Sequence, residues 1–208
     1  MVIMTGSLLF LAVGCLLGRY ELKKWDIYET KGWWLLNMGI FLAAVPGGYL
    51  MGQYGYHILK ILRYWLILGS LLFLGILDHK KRIIPNRILV VLLGARTLLL
   101  AVECLVFQEV WVELFLSSMT GFLGGGMLFF LTSRVMKNGI GMGDVKLIAV
   151  LGYYLGFQVL MSDMVISLLL TVVGGLTSLL IQKKSLRSEL PFAPFVAAGT
   201  MITILLGC

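Results

Sequence analysis

The sequence predicts an all-α fold, a polytopic transmembrane bundle of about eight helices, and three observations carry that expectation. Hydrophobic residues make up 60% of the 208 and charged residues only 13%, where soluble domains carry roughly a quarter charged. The apolar residues gather into runs close to the about 20 that a helix needs to cross a bilayer core. Lysine and arginine collect in alternate connections between those runs.

The runs fall at about residues 3–18, 33–51, 58–77, 88–106, 114–133, 145–161, 164–181 and 192–207. Within the first, Ala12-Val13-Gly14-Cys15 faintly resembles a lipoprotein cleavage site. No lysine or arginine precedes it and the positive charges follow it, so residues 3–18 read as an uncleaved anchor. Short polar stretches join the rest: Arg19 to Lys31, Gly52 to His57, Asp78 to Arg87, Glu109 to Glu113, Arg134 to Gly143 and Gln182 to Pro191. Pro85 and Asn86 supply the turn that starts the fourth helix. Cys15, Cys104 and Cys208 form neither a CxxC pair nor an even framework, so neither a disulfide nor a metal site is expected.

Charge then sets orientation, because basic residues in short loops mark the cytoplasmic side. One side collects Arg19, Lys23, Lys24, Lys31, Lys80, Lys81, Arg82, Arg87, Arg134, Lys137, Lys146, Lys183, Lys184 and Arg187, and the other holds only Lys60 and Arg63. The N-terminus and C-terminus are therefore expected outside, with Glu103, Glu109, Glu113 and Asp163. This topology and contact with anionic membrane lipid account for the net charge of +7, and no nucleic acid partner is expected. Arg96 is left inside the fourth helix, where a cation normally faces a cavity or a partner. Glu103 lies two turns along the same helix face.

On this topology Asp78 ends the third helix and Asp144 begins the sixth, both at the cytoplasmic boundary. Two carboxyl groups held together cannot both ionise easily, so they share a proton. One carboxylate can then activate water while its protonated partner hydrogen-bonds to a scissile carbonyl. Such hydrolysis needs no cofactor and no metal. Gly139, Gly141 and Gly143 lack side chains, which lets their loop approach an extended substrate and offer it backbone hydrogen bonds. Other readings stand beside these. Asp144 also fits a helix N-cap, Asp78 a solvated helix end and the glycines a plain turn. A proton-coupled membrane transporter would also use paired intramembrane carboxylates.

Three stretches resemble the type IV prepilin peptidases and their archaeal preflagellin relatives, intramembrane aspartyl proteases of the Gly-x-Gly-Asp type. They are Asp78-His79-Lys80-Lys81-Arg82-Ile83-Ile84-Pro85-Asn86, Gly139-Ile140-Gly141-Met142-Gly143-Asp144-Val145-Lys146-Leu147, and Pro191-Phe192-Ala193-Pro194-Phe195. The resemblance implies that Asp78 and Asp144 are the catalytic dyad and that Gly141, Gly143 and Lys146 bind substrate. It also implies prepilin or pseudopilin precursors as partners, cut at the cytoplasmic face of the cell membrane after a short basic leader. Presenilin-like proteases share the Gly-x-Gly-Asp chemistry but place their first aspartate after tyrosine, whereas Leu77 precedes Asp78 here.

Bifunctional members of that family carry a cytoplasmic insert after the first helix, often with paired CxxC motifs, associated with N-methylation. The corresponding loop here, Arg19 to Lys31, contains no cysteine, so a peptidase without methyltransferase activity is expected. The division expected is residues 1–57 as a two-helix N-terminal membrane region without that insert and residues 58–208 as a six-helix peptidase core. A homo-oligomer is compatible with the sequence.

Overall fold

The computed structural model describes residues 49, 51–135, 140–182 and 191–207. All regular structure among them is helical: residues 49 and 51–53, then six longer helices. The expectations for runs 3–18 and most of 33–51, the Arg19 to Lys31 loop, Gly139 and the lysines of the 183–190 connection lie outside the described residues.

Helix α1, Ile58–Lys81, starts where His57 adopts an extended backbone and its Nδ1 accepts the Leu59 N–H. It stops where Arg82 enters the left-handed region at φ 53° and returns its N–H to the Asp78 carbonyl at 3.0 Å. Helix α2, Asn86–Val106, follows Pro85, whose fixed φ is already suited to a helix start. Helix α3 is Trp111–Val135, α4 is Met142–Leu155, α5 is Phe157–Gln182 and α6 is Ala193–Leu206. Pro194 sits in the first turn of α6, where a missing N–H costs nothing.

Four helices are long and apolar enough to cross a membrane: α1, α2, α3 and residues Phe157–Thr177 of α5. Their outward faces expose Val90, Val91, Leu98, Leu123, Met127 and Val172. That much exposed apolar surface suits lipid rather than water. Inside the bundle, Leu71, Leu74, Leu147, Ile148, Leu151 and Val196 are buried.

One boundary differs from the pattern of the sequence. Charge places the break between the sixth and seventh runs beside Asp163, yet the chain turns at Gly156, with φ 82°. Only glycine adopts that conformation without strain, and a Cβ there would collide with the Ser117 hydroxyl of α3. Asp163 therefore lies within α5, fully buried, and not in an outer loop. Its carboxylate accepts hydrogen bonds from Thr200 at 3.1 Å, Ser167 at 3.3 Å and Thr203 at 3.4 Å, which ties α5 to α6.

Backbone-to-backbone contact fixes α3 against α4. Gly121 and Gly152 meet so closely that a Cβ on either would overlap the carbonyl of the other. Small residues allow this approach, as is usual for helices in lipid. A buried polar cluster secures the same end of α4. Arg96 donates to the Tyr153 carbonyl at 3.0 Å, to Glu103 at 2.8 Å and to Ser118 at 2.9 Å. Arg63 of α1 reaches Glu103 at 3.4 Å. Glu103, two turns along the same helix face, is one of three partners of Arg96, none of which the sequence alone named.

Candidate active site

The last turn of α1 presents two faces. His79, Lys80 and Lys81 are exposed, whereas Asp78 is only 7% exposed and points into the bundle. A solvated helix end would not bury its carboxylate, so that reading of Asp78 does not hold. The Asp78 Oδ2 accepts the backbone N–H of Ala193, the first residue of α6, at 3.0 Å.

Asp144 arrives from a different element. Gly141 is the N-cap of α4, with φ −70° and ψ 145° and no side-chain cap. The amide N–H of Asp144 donates to the Gly141 carbonyl at 3.0 Å. Asp144 is thus the third helical residue and not the N-cap, which removes the simplest structural reading of its position. Its carboxyl is half-buried and titrates at about 6, above the ordinary 3.8. Burial is the larger cause, the negative charge of Asp78 the second, and a hydrogen bond from the Gly141 backbone opposes both. The two aspartates therefore share one electrostatic environment at one end of the bundle.

The glycines of this loop are constrained on the protein side. A Cβ at Gly141 would stand 3.2 Å from the Asp144 carboxylate, and one at Gly143 would stand 3.2 Å from Ile84. Gly141 thus leaves the Asp144 carboxylate uncovered, and Gly143 admits Ile84 of the loop that follows α1. Lys146 is exposed, and its ammonium donates to the Asn86 side chain at 3.1 Å, joining the starts of α4 and α2. The third motif is anchored by its aromatic residues: Phe192 packs on Phe129 of α3 with ring centroids 6.1 Å apart, and Phe195 lies against Gly174 of α5.

The sequence pattern assigned no role in this site to Ala193, Gly75 or Asn86, although Ala193 and Asn86 lie in the stretches that carry the resemblance. A backbone donor carries no residue-type signal, so Ala193 was legible only as a member of the Pro-Phe-x-Pro-Phe stretch. A Cβ on Gly75 would lie 3.2 Å from the Pro194 Cα. Among the described residues, no group of three or more His, Cys, Asp or Glu is arranged to hold a metal ion.

The pattern described as the type IV leader peptidase family matches residues 65–179, a segment that includes both aspartates. The chain belongs to that family. A prepilin leader peptidase/N-methyltransferase of Bacillus subtilis (strain 168) is 31% identical over 140 residues, which is 67% of this chain and 54% of that protein. The protein of the same name from Pseudomonas putida is 32% identical over 142 residues, 66% of this chain and 47% of its own. That from Pseudomonas aeruginosa is 29% identical over 143 residues, 68% and 48%. The chain spans about half the length of the curated relatives it matches. No solved structure matches it. As a leader peptidase family member with four helices apolar enough to cross a bilayer, the chain is a multi-pass membrane protein, and the transporter alternative is not favoured.

Proposed function

We propose that this protein is an aspartyl endopeptidase that removes the short leader peptide from type IV prepilin-like precursors at the cytoplasmic face of the cell membrane. The observation that carries the reading is the pairing of Asp78 on α1 with Asp144 on α4, one buried and the other titrating at about 6 because of burial and its neighbour. A pair that shares a proton supplies a base and an acid together. Water loses a proton to one carboxylate as its oxygen bonds the scissile carbonyl carbon, and the other carboxyl protonates the carbonyl oxygen. Collapse of the tetrahedral intermediate breaks the C–N bond as the first carboxyl protonates the leaving nitrogen. The second takes back the hydroxyl proton, and both groups return to their starting states.

In this reading Gly141 and Gly143 offer backbone to an extended stretch of substrate, and Lys146, exposed two residues beyond Asp144, takes part in binding it. The basic Lys80, Lys81 and Arg82 would repel a basic leader, so leader binding is not assigned to them. Eight membrane helices with both termini outside suit the distribution of charge. Residues 1–57 are the two-helix N-terminal membrane region of this reading and 58–208 the six-helix peptidase core. The Arg19 to Lys31 loop has no cysteine, which supports a peptidase without the methyltransferase activity named in its relatives.

The test is co-expression with prepilin-like precursors, following leader removal by mass for wild type, Asp78→Asn and Asp144→Asn. Asparagine keeps the size of aspartate but cannot share the proton. Cleavage by wild type and by neither variant is expected when all three are inserted at equal levels. Cleavage persisting in either variant would exclude the dyad.

A further inference from the structure

The two aspartates are not equivalent, and the difference lies in α6. A helix start leaves its first N–H groups without intrahelical partners. In α6, Pro194 has none to offer and the Phe195 N–H donates to the Phe192 carbonyl at 3.0 Å. Phe192, at the N-cap, makes no side-chain cap. The Ala193 N–H therefore depends on a remote acceptor, and Asp78 Oδ2 provides it at 3.0 Å from 115 residues away in sequence. The donor belongs to the positive end of a helix, where negative charge is favoured.

Gly75 makes the approach feasible. It precedes Asp78 by three residues and so lies on the same face of α1. Its missing side chain admits the Pro194 backbone, since a Cβ would stand 3.2 Å from the Pro194 Cα and 3.6 Å from the Ala193 carbonyl oxygen. Phe192 on Phe129 and Phe195 on Gly174 hold the same helix start from its other sides. These contacts give the N–H a fixed position relative to Asp78.

We propose that the start of α6 divides the labour of the dyad: the Ala193 N–H positions Asp78 as the general base, and the shared proton resides on Asp144, the general acid. This rests on the endopeptidase reading above and specifies which carboxyl does what. An oxygen accepting a backbone N–H cannot also carry a proton directed at that donor, so Oδ2 is committed and Oδ1 receives the proton of the attacking water. Asp144, already displaced upward by burial and by Asp78, delivers its proton to the carbonyl oxygen. The leaving nitrogen is then protonated from Asp78, and Asp144 recovers its proton from the tetrahedral hydroxyl. Ala193 touches no reacting atom and is a positioning residue.

Among the described residues, Arg82 caps α1 with its N–H on the Asp78 carbonyl, and the other charged groups on the surrounding elements are these. The helices packed against α1 are α2, α4 and α6. Arg87 lies at the start of α2, and Asp144 and Lys146 at the start of α4, with the Lys146 ammonium directed at Asn86. Helix α6 has no ionisable residue between Ala193 and Leu206. On α1 itself, His79, Lys80 and Lys81 follow Asp78 and are exposed.

The experiment is difference infrared spectroscopy of the full chain in detergent, about one pH unit below the Asp144 midpoint of about 6. The carboxylic-acid band of the dyad is followed in wild type, Asp78→Asn and Asp144→Asn. The band should survive in Asp78→Asn and vanish in Asp144→Asn. In the double variant Ala193→Pro with Asp144→Asn, which lacks the donor, a band from Asp78 should return. In the otherwise native chain, Ala193→Pro should lower kcat at least about tenfold, the effect of losing a charge-assisted hydrogen bond, with KM unchanged, while Ala193→Gly keeps the N–H and kcat. A band that persists in Asp144→Asn alone, or an Ala193→Pro enzyme with native kcat, would overturn the proposal. If Ala193→Pro fails to fold, the spectra of the two asparagine variants still decide where the proton resides. Loss of cleavage in both asparagine variants together with the wrong band assignment would sink this division of roles alone. Cleavage surviving in either would remove the endopeptidase reading and this inference with it.

Discussion

Arg96 donates its Nε–H to the carbonyl of Tyr153 at 3.0 Å, placing a cation at the C-terminal turn of the helix whose first turn carries Asp144. A positive charge there complements the helix dipole. The same guanidinium binds Glu103 and Ser118 and is fully buried.

Removing that hub should be costly. Breaking a buried ion pair from one side typically costs about 3–5 kcal/mol, and Arg96→Met leaves Glu103 with only the longer contact to Arg63. Arg96→Lys should rescue little, because an ammonium cannot match three acceptors fixed by a planar fork. Thermal unfolding in detergent measures both, and an unchanged midpoint for Arg96→Met would exclude a stabilising role.

Asp144 should make stability depend on pH with a definite sign. Its carboxyl is raised from 3.8 to about 6, so within that window the folded protein holds a proton that the unfolded chain has released. Stability therefore falls as pH rises from 3.8 to about 6 and changes no further through this group above that value. Unfolding midpoints across the window should slope downward in wild type and lose that component in Asp144→Asn. Leader cleavage that depends on the protonated group should also decline as pH rises through about 6.

Gly152→Ala should separate α3 from α4, since the new methyl would overlap the Gly121 carbonyl. Strain of about 1–3 kcal/mol is typical of overpacking, and here the obstacle is backbone that cannot rotate away. Gly94 offers the control: a Cβ there meets nothing within 4 Å, so Gly94→Ala should be neutral or stabilise by up to about 1 kcal/mol. Unfolding midpoints compared between the two variants check the pair, and equal effects would contradict it.

Asp163 should prove structural. Asp163→Asn keeps an acceptor for the hydroxyls of Ser167, Thr200 and Thr203 and should retain cleavage. Asp163→Leu leaves those hydroxyls without the carboxylate and should lower stability by about 1–3 kcal/mol, with specific activity of the folded fraction preserved. Activity lost in Asp163→Asn at native stability would instead assign this acid to the chemistry.

The contrast between Asp144 and Asp163 shows how far the sequence could be read. Asp144 lies between glycines and an apolar run, and residue type and loop charge sufficed to expect it at a helix start on the same side as Asp78. Asp163 looked like a loop residue because a carboxylate in an apolar run usually marks water. Two of its partners, Thr200 and Thr203, come from another helix and neutralise that signal only after folding. The break at Gly156 was hidden for a related reason, because what excludes a side chain there is the Ser117 hydroxyl on a different helix. Arg96 and Glu103 share a helix face by spacing, but spacing did not name them as partners, because Ser118 and the Tyr153 carbonyl, which also hold the guanidinium, come from other helices. The bond between Asp78 and Ala193 was not legible either, because one partner is main chain.

The glycine contact between α3 and α4 bears on how the two aspartates are held. Helix α4 packs most extensively on α3, and α1 on α6, while α1 and α4 touch each other only sparingly. Each aspartate is thus carried by a different helix pair, and α5, packed on α6, α3 and α4, joins the two pairs. Any change in the spacing of the carboxyls has to move one pair past the other and strain the α5 contacts that bridge them.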